Sequence, residues 1–278
     1  MNIQWFPGHM AKTRNLIKEN LKLIDVVLEL VDARIPLSSK NPEILSLCSN
    51  KPILTLCNKS DLADPCVNKL WQEYFGNKAM FISSSSGQGI NQISGKVKEL
   101  LHDKIQRDAE RGITGRSIKL MIVGVPNVGK SSFINKFSKK AATQVADRPG
   151  VTRGKQWIRL SEGFELLDTP GVLWPKFDDE EVAKRLAYTG AIKDVIIDIE
   201  ELCHYLLEFL RDNYPDRIRE RYKISDFETL KGYEITELIG RKRGFIVSGG
   251  EINTERAAAV ILDEFRGGML GRISLERP

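Results

Sequence analysis

The chain has no apolar run approaching the roughly 20 residues that a membrane helix requires. Its N-terminus, MNIQWFPGHMAK, has no basic stretch followed by a continuous apolar segment, so no secretory signal is expected and the cytosol is the expected location. Cysteine is scarce. Cys48, Cys57, Cys66 and Cys203 form no CxxC pair and no metal-ligand spacing, and all four are expected to be reduced and buried. Internal repeats are absent, and the one low-complexity tract is the serine run Ser83 to Ser86. What is there is 278 residues with 41% apolar, 28% charged and 8% aromatic content, an ordinary globular composition rather than a disordered or fibrous one. The length allows one large domain or two medium ones, and two are expected. A net charge of +5 permits a polyanionic partner without requiring one.

Met10, Thr13, Leu16, Ile17, Leu21 and Ile24 are spaced for one face of a helix, with Arg14, Lys18 and Lys22 on another. That basic face is either a solvated surface or a phosphate-backbone contact. The short runs DVVLELVDA (25–33), KPILTLCNK (51–59) and AMFIS (79–83) each end in a polar loop, as buried parallel strands do. A charged helical stretch is predicted from about Ile90 to Glu110, with Ile93, Val97, Leu100 and Leu101 along one side, and RGITGRS follows as a flexible joint. IKLMIVGV (118–125), KQWIRL and FELLDT then complete a six-stranded, mostly parallel α/β unit. After about Pro175 the spacing turns helical: Leu202, Tyr205, Leu206, Phe209 and Leu210, then Ala258, Ile261, Leu262 and Phe265. Asn253 or Thr254 caps the second of these, and Gly267-Gly268 ends it. The expected division is a basic amphipathic segment (1–24), an α/β domain (25–174) and an all-helical domain (175–278).

Gly124-x-x-x-x-Gly129-Lys130-Ser131 follows an apolar strand and precedes SSFINKF, a helix start, which is the context of a phosphate-binding loop. Glycines let backbone N–H groups wrap a β-phosphate, the helix N-terminus adds its positive end, Lys130 bridges two phosphates and Ser131 ligates Mg²⁺. Gly124, Asn127, Val128, Gly129, Lys130, Ser131 and Ser132 are the nucleotide contacts expected from this loop. Asp168-Thr169-Pro170-Gly171 ends the strand FELL, where Asp168 would stand on the Mg²⁺ side and the Gly171 N–H would sense a γ-phosphate. Between them, DRPGVTRG offers Thr152 as a switch threonine for the Mg²⁺ shell; on its own, that stretch reads as a Pro-Gly turn.

Asn58-Lys59-Ser60-Asp61 follows the second apolar run. The Asp61 carboxylate would accept both N1–H and the exocyclic amine of guanine, and adenine offers no such pair of donors. Lys59 would cover the base, Asn58 would tie the base loop to the phosphate loop, and Ser83-Ser84 in ISSSS would supply a backbone N–H to the base oxygen. Chain order is then the puzzle, because the base loop precedes the phosphate loop. In a parallel α/β sheet the binding loops all emerge at the carboxyl ends of strands, so the site depends on spatial neighbours. A chain whose ends lie close can be joined there and opened elsewhere. The helix at 90–110 with RGITGRS would be that joint.

So arranged, the sequence resembles the ribosome biogenesis GTPase A family, whose GTPase domain is circularly permuted. The resemblance rests on WFPGHMAK, DARIPLSSKNP, NKSD, GVPNVGKSS, PGVTR, DTPG and the C-terminal GGEIN…AA…LDEFRGGMLGRISLE. One departure is SSSS, where GTPases more often have Ser-Ala-Lys. The resemblance implies a P-loop GTPase domain followed by an all-helical domain, with bound GTP or GDP and Mg²⁺; separately, the sequence shows no obvious dimerisation surface and no membrane-length apolar run, so a monomer without membrane contact is expected. It implies docking of the GTP form on rRNA of the large ribosomal subunit precursor, with hydrolysis driving release. A switch acting on a protein or membrane effector is the competing class, and a GTP-regulated RNA-binding protein is a third. Ras-type GTPases place a glutamine after DxxG to orient water; Val172 stands there, so slow intrinsic turnover is expected. Catalytic roles are expected for Lys130, Thr152 and His9; the resemblance suggests His9 as a water-orienter or as a group repositioned by the partner, the alternative being that it merely fixes the N-terminal segment with Trp5, Phe6 and Pro7. Asn127 resembles the asparagine that holds K⁺ in some glutamine-lacking GTPases; loop geometry is the alternative. Arg241-Lys242-Arg243, Arg266, Arg272 and Arg277 are the basic residues of the C-terminal part available to contact phosphates; no RNA-binding signature accompanies them, and RKRG on its own reads as a solvated turn.

Overall fold

The computed structural model describes residues 9–113, 115–141, 156–160, 163–171, 173–174, 177 and 179–278. Two compact units form: one is Asp178–Leu275, and the other runs through Phe177 and includes Glu276–Pro278.

The larger unit is built on a six-stranded sheet of order β3-β2-β1-β4-β6-β5. Its strands are β1 (Val26–Asp32), β2 (Ile53–Asn58), β3 (Ala79–Phe81), β4 (Ile118–Val123), β5 (Gln156–Leu160) and β6 (Phe164–Asp168). All pairs are parallel except β5 with β6. Every residue of β1 is buried, as a strand covered on both faces demands. The helices are α1 (His9–Asn20), α2 (Pro42–Leu47), α3 (Pro65–Phe75), α4 (Ile93–Leu100), α5 (His102–Glu110) and α6 (Lys130–Ala141). Asn41 and Asp64 cap α2 and α3 by accepting from backbone N–H groups, each ahead of a proline in the first turn.

The joint between the two halves is pinned at the start of β1. The buried Asp25 carboxylate accepts from Lys104 of α5, from Arg116 Nη2 (3.0 Å) and from Lys119 N (2.8 Å). The predicted helix over 90–110 is divided at Leu101, whose φ of −102° and ψ of 10° end α4 before α5 begins. Leu101 faces the core whereas Leu100, predicted beside it, is half-exposed. The predicted helix over 10–24 stops at Asn20, whose Nδ2 turns back to the Leu16 carbonyl at 2.6 Å; Ile17 and Ile24 are nevertheless both buried. Three cysteines are free and buried, but Cys66 is exposed because it sits in the first turn of α3, outside the buried stripe formed by Val67, Asn68 and Trp71.

The smaller unit is helical: α7 (Glu180–Tyr188), α8 (Ile199–Asn213), α9 (Pro215–Tyr222), α10 (Gly232–Arg243) and α11 (Thr254–Arg266). Asn253 is the cap of α11, accepting from Arg256 N at 2.9 Å. The buried face of α8 is Leu202, Cys203, Leu206, Leu207 and Leu210; the expected Tyr205 is 38% exposed. Both flanks of the 202–206–210 stripe are apolar, and packing against α10 selects the Cys203–Leu207 side, with Cys203 Sγ 3.9 Å from Thr236 Oγ1. Arg266, counted among the possible phosphate contacts, is committed internally. It donates to the carbonyls of Tyr188 (3.2 Å) and Ala187 (3.0 Å) and pairs with Asp194. Arg243 pairs with the mostly buried Glu264 at 3.3 Å, while Arg241 and Lys242 are exposed at the end of α10.

Candidate nucleotide-binding site

β1, β2, β3, β4 and β6 run in parallel, so their carboxyl-end loops emerge along one edge of the sheet. Along that edge stand Asn58 to Asp61 after β2, Ser83 to Ser86 after β3, Gly124 to Gly129 after β4 and Asp168 to Gly171 at the end of β6. The order of loops in the chain is therefore immaterial to their assembly.

The two pattern glycines of the phosphate loop have specific causes. A Cβ on Gly124 would lie 2.4 Å from the Leu30 carbonyl oxygen of the neighbouring β1. Gly129 has φ +91° and a Cβ there would meet Asn58 Nδ2 at 2.5 Å. Gly171 packs against the same loop, since its Cβ would fall 2.8 Å from Lys130 Nζ and 3.1 Å from Pro126 Cα. The Lys130 ammonium donates to the carbonyls of Gly124 (3.0 Å) and Val125 (3.2 Å). Burial lowers its pKa to about 8, against the opposing attraction of Asp168. Asp168 is itself raised by burial, with Lys130 and the Thr169 backbone opposing. Thr169 holds this strand end to its neighbour by donating to the Ile122 carbonyl at 2.6 Å. Ser131 and Ser132 open α6 with exposed side chains, and Val128 is buried. No cluster of three or more His, Cys, Asp or Glu side chains suited to a metal occurs among the described residues. A hydroxyl at Ser131 and a single carboxylate at Asp168 match the sparse, hard-oxygen donor set that Mg²⁺ accepts when phosphates and water complete its shell.

The base loop is braced from three sides. Asn58 is buried; its Nδ2 donates to the Val128 carbonyl (2.7 Å) and its Oδ1 accepts from both the backbone N–H (2.9 Å) and the hydroxyl (2.8 Å) of Ser84. One side chain thus joins the phosphate loop to both base loops. Lys59 Nζ donates to the Asn127 carbonyl (2.6 Å) and to Asp32 Oδ2 (3.0 Å). Lys59 and Asn127 face each other with φ of 60° and 59°, two of the four non-glycine residues in this region of backbone space among the described residues. Such strain collects where a site over-determines the chain. Asparagine tolerates this conformation better than most residues. Asp61 has one oxygen bonded to the Ser85 hydroxyl at 3.0 Å, while Oδ1 is buried without a hydrogen-bond partner among the described residues. A buried, unpaired carboxylate oxygen is costly unless a donor arrives, and a guanine edge supplies one. Ser83 is fully buried one residue earlier.

Sequence reading missed the support behind Lys59. Asp32 at the end of β1 accepts from Arg34 through its backbone N (3.0 Å), Nε (3.0 Å) and Nη2 (2.8 Å), and both side chains are buried. Burial would raise its pKa, but Arg34 and then Lys59 outweigh this and hold the carboxyl well below the usual range. The signal was present in DARIP, an acid and an arginine two residues apart at a strand end, yet nothing local tells such a pair from a surface one. Glu276 was also missed: its carboxylate accepts from Leu37 N (2.8 Å), Ser38 N (3.1 Å) and Ser38 Oγ (2.7 Å). Its carbonyl accepts from Trp71 Nε1 at 3.2 Å. The side chain of His9, and Thr152 and Val172 entirely, lie outside the described residues.

Comparison with known proteins agrees with this geometry. Residues 119–232 match the family model described as 50S ribosome-binding GTPase. Ribosome biogenesis GTPase A of Bacillus licheniformis is 49% identical over 284 residues, covering 100% of this chain and 99% of that protein. The GDP-bound structure of TM YlqF superposes with a TM-score of 0.70 at 28% identity, covering 95% of this chain and 99% of that one. GNP-bound YlqF from T. maritima gives 0.66 at 29% identity, covering 96% and 98%. Near-complete coverage at such identity, with the loops assembled in permuted order on one sheet edge, places the chain in the ribosome biogenesis GTPase A family, as a circularly permuted P-loop enzyme that hydrolyses GTP.

Proposed function

We propose that this enzyme is an assembly factor for the large ribosomal subunit, docking in its GTP-bound form on precursor rRNA, hydrolysing GTP faster when docked and leaving after hydrolysis. The observation that carries the nucleotide half is the orphaned, buried Oδ1 of Asp61 beside the Asn58 bridge, a socket for guanine. The ribosomal half rests on the names of the matched family model and relatives, 50S ribosome-binding GTPase and ribosome biogenesis GTPase A.

In this reading Asp61 takes the two donors of the guanine edge, the Ser84 backbone lies beside the base oxygen, and Asn58 keeps base and phosphate loops in register. Lys130 leaves the Gly124 and Val125 carbonyls for the β- and γ-phosphates, and regains a full positive charge there. Ser131, Asp168 and Thr152 would hold Mg²⁺, which would neutralise the charge on the phosphates. The Gly171 N–H, lying against the phosphate loop, would report the γ-phosphate to the segment that follows. Val172 cannot orient water, so the free enzyme turns over well below about 1 s⁻¹ and needs a group brought into place on docking, His9 being the candidate. Asn127 would add a K⁺ ligand near the phosphates. Arg241, Lys242, Arg272 and Arg277, with Lys18 and Lys22, are exposed cations that would meet rRNA phosphates, and Arg266 is not among them.

The test is GTP hydrolysis by the purified protein with and without large ribosomal subunits, in K⁺ and in Na⁺ buffer. Strong stimulation by subunits is expected. Absence of stimulation with GTP binding intact would end the docking-activated reading, and equal rates in the two salts would remove the K⁺ ligand.

A further inference from the structure

The serine run after β3 is a hydrogen-bonded assembly rather than a polar filler. Ser84 is engaged by Asn58 through two bonds. Ser83 Oγ accepts from Ser86 N at 3.2 Å and lies 2.9 Å from Ser85 Oγ. Ser85 Oγ donates to Asp61 Oδ2 at 3.0 Å, and its carbonyl accepts from Lys136 Nζ of α6 at 3.3 Å. An ionised carboxylate only accepts, so the Ser85 proton points at Asp61, and Ser83 must be the donor in the Ser83–Ser85 pair. The result is a directed chain, Ser86 N–H to Ser83 to Ser85 to Asp61, in which each bond polarises the next.

That chain ends on one oxygen of the residue whose other oxygen is buried and unpartnered among the described residues. The last torsion of an aspartate is soft and roughly two-fold, so nothing intrinsic orients its carboxylate plane. Ser85 is exposed, so burial does not explain its place. We propose that Ser85 is a specificity-positioning residue for guanine: its hydroxyl fixes the Asp61 carboxylate plane so that the base meets two aligned acceptors. This rests on Asp61 being the guanine reader. Alignment matters most for the second bond, to the exocyclic amine. Losing the pin therefore weakens guanine more than hypoxanthine, which keeps N1–H but lacks the amine.

The experiment is competition binding on the full-length protein with GDP, inosine diphosphate and xanthosine diphosphate, using Ser85→Ala, Ser85→Thr and Asp61→Asn. Ser85→Ala is expected to weaken GDP about five- to tenfold, as loss of a hydrogen bond to a charged group does at a partly solvated site, and to narrow the preference for GDP over inosine diphosphate. Ser85→Thr keeps the hydroxyl and should stay within about twofold of the wild type. Ser85→Ala with unchanged affinity and unchanged preference would overturn the proposal. Asp61→Asn tests the underlying assignment separately: it should exchange GDP for xanthosine diphosphate, and failure to do so would remove Asp61 as the base reader whatever Ser85 does.

Discussion

Replacing Asp32 by Asn removes one charge and leaves the shape. In the native chain this carboxylate accepts three bonds from Arg34 and one from Lys59, at 2.8–3.0 Å. Arg34 and Asp32 have side chains only 1% and 2% exposed, so the guanidinium would be left buried beside a neutral amide. Breaking a buried pair by removing one partner costs about 3–5 kcal/mol, a large part of the roughly 5–15 kcal/mol that holds a domain together. At a urea slope of about 2–3 kcal/mol per molar, the unfolding midpoint should fall by roughly 1–2.5 M. Asp32→Asn combined with Arg34→Met removes both buried charges and should recover most of that loss. GDP binding should stay weakened in the double variant, because Lys59 still lacks its anchor. The acid limb provides a second readout. The folded carboxyl titrates below its ordinary value of 3.8, so its contribution is present above that value and is lost as pH falls below it. The Asn variant should lack this part of the acid limb. A destabilisation under about 1 kcal/mol would refute the buried-pair reasoning.

Two further outcomes are expected. With Lys130 at about pKa 8 in the free protein and raised by bound phosphates, binding at pH 8 should take up about half a proton, and affinity should decline as pH rises through 8; calorimetry in two buffers of different ionisation enthalpy measures this, and no uptake would contradict it. Glu276→Ala removes the carboxylate that accepts from Leu37 N, Ser38 N and Ser38 Oγ. That should cost about 1.5–3 kcal/mol and lower Tm by roughly 3–10 °C, with Gln recovering part of it; an unchanged melting curve would refute the tail anchor.

Much of the site was legible because its signals are local. The six strands could be read from apolar runs, and the phosphate loop from glycines whose spacing backbone geometry requires. Where several choices were locally equal, the sequence did not discriminate: Tyr205 and Cys203 flank the same stripe of α8, and only packing chose between them. Arg266 looked like any exposed cation until its carbonyl partners near Asp194 were seen. The sequence singled out only Ser83-Ser84 from the serine run, because serine has no distinctive periodicity; the place of Ser85 lies in which acceptor its hydroxyl meets.

By itself the sequence determined the α/β unit with a helical unit after it, the phosphate and base motifs, and the permuted order, since each is written in residues close together along the chain. The Asn58 tie between base and phosphate loops was expected from the sequence, but tertiary structure alone decided its partner atoms and the braces that Lys59 and Glu276 supply. Asn58 reaches Val128 across 70 residues, Lys59 reaches Asn127 across 68, and Ser38 meets Glu276 across 238. Hydrogen bonds of about 3 Å depend on distance in space, and separation along the chain gives no measure of that until the sheet has brought its strand ends together.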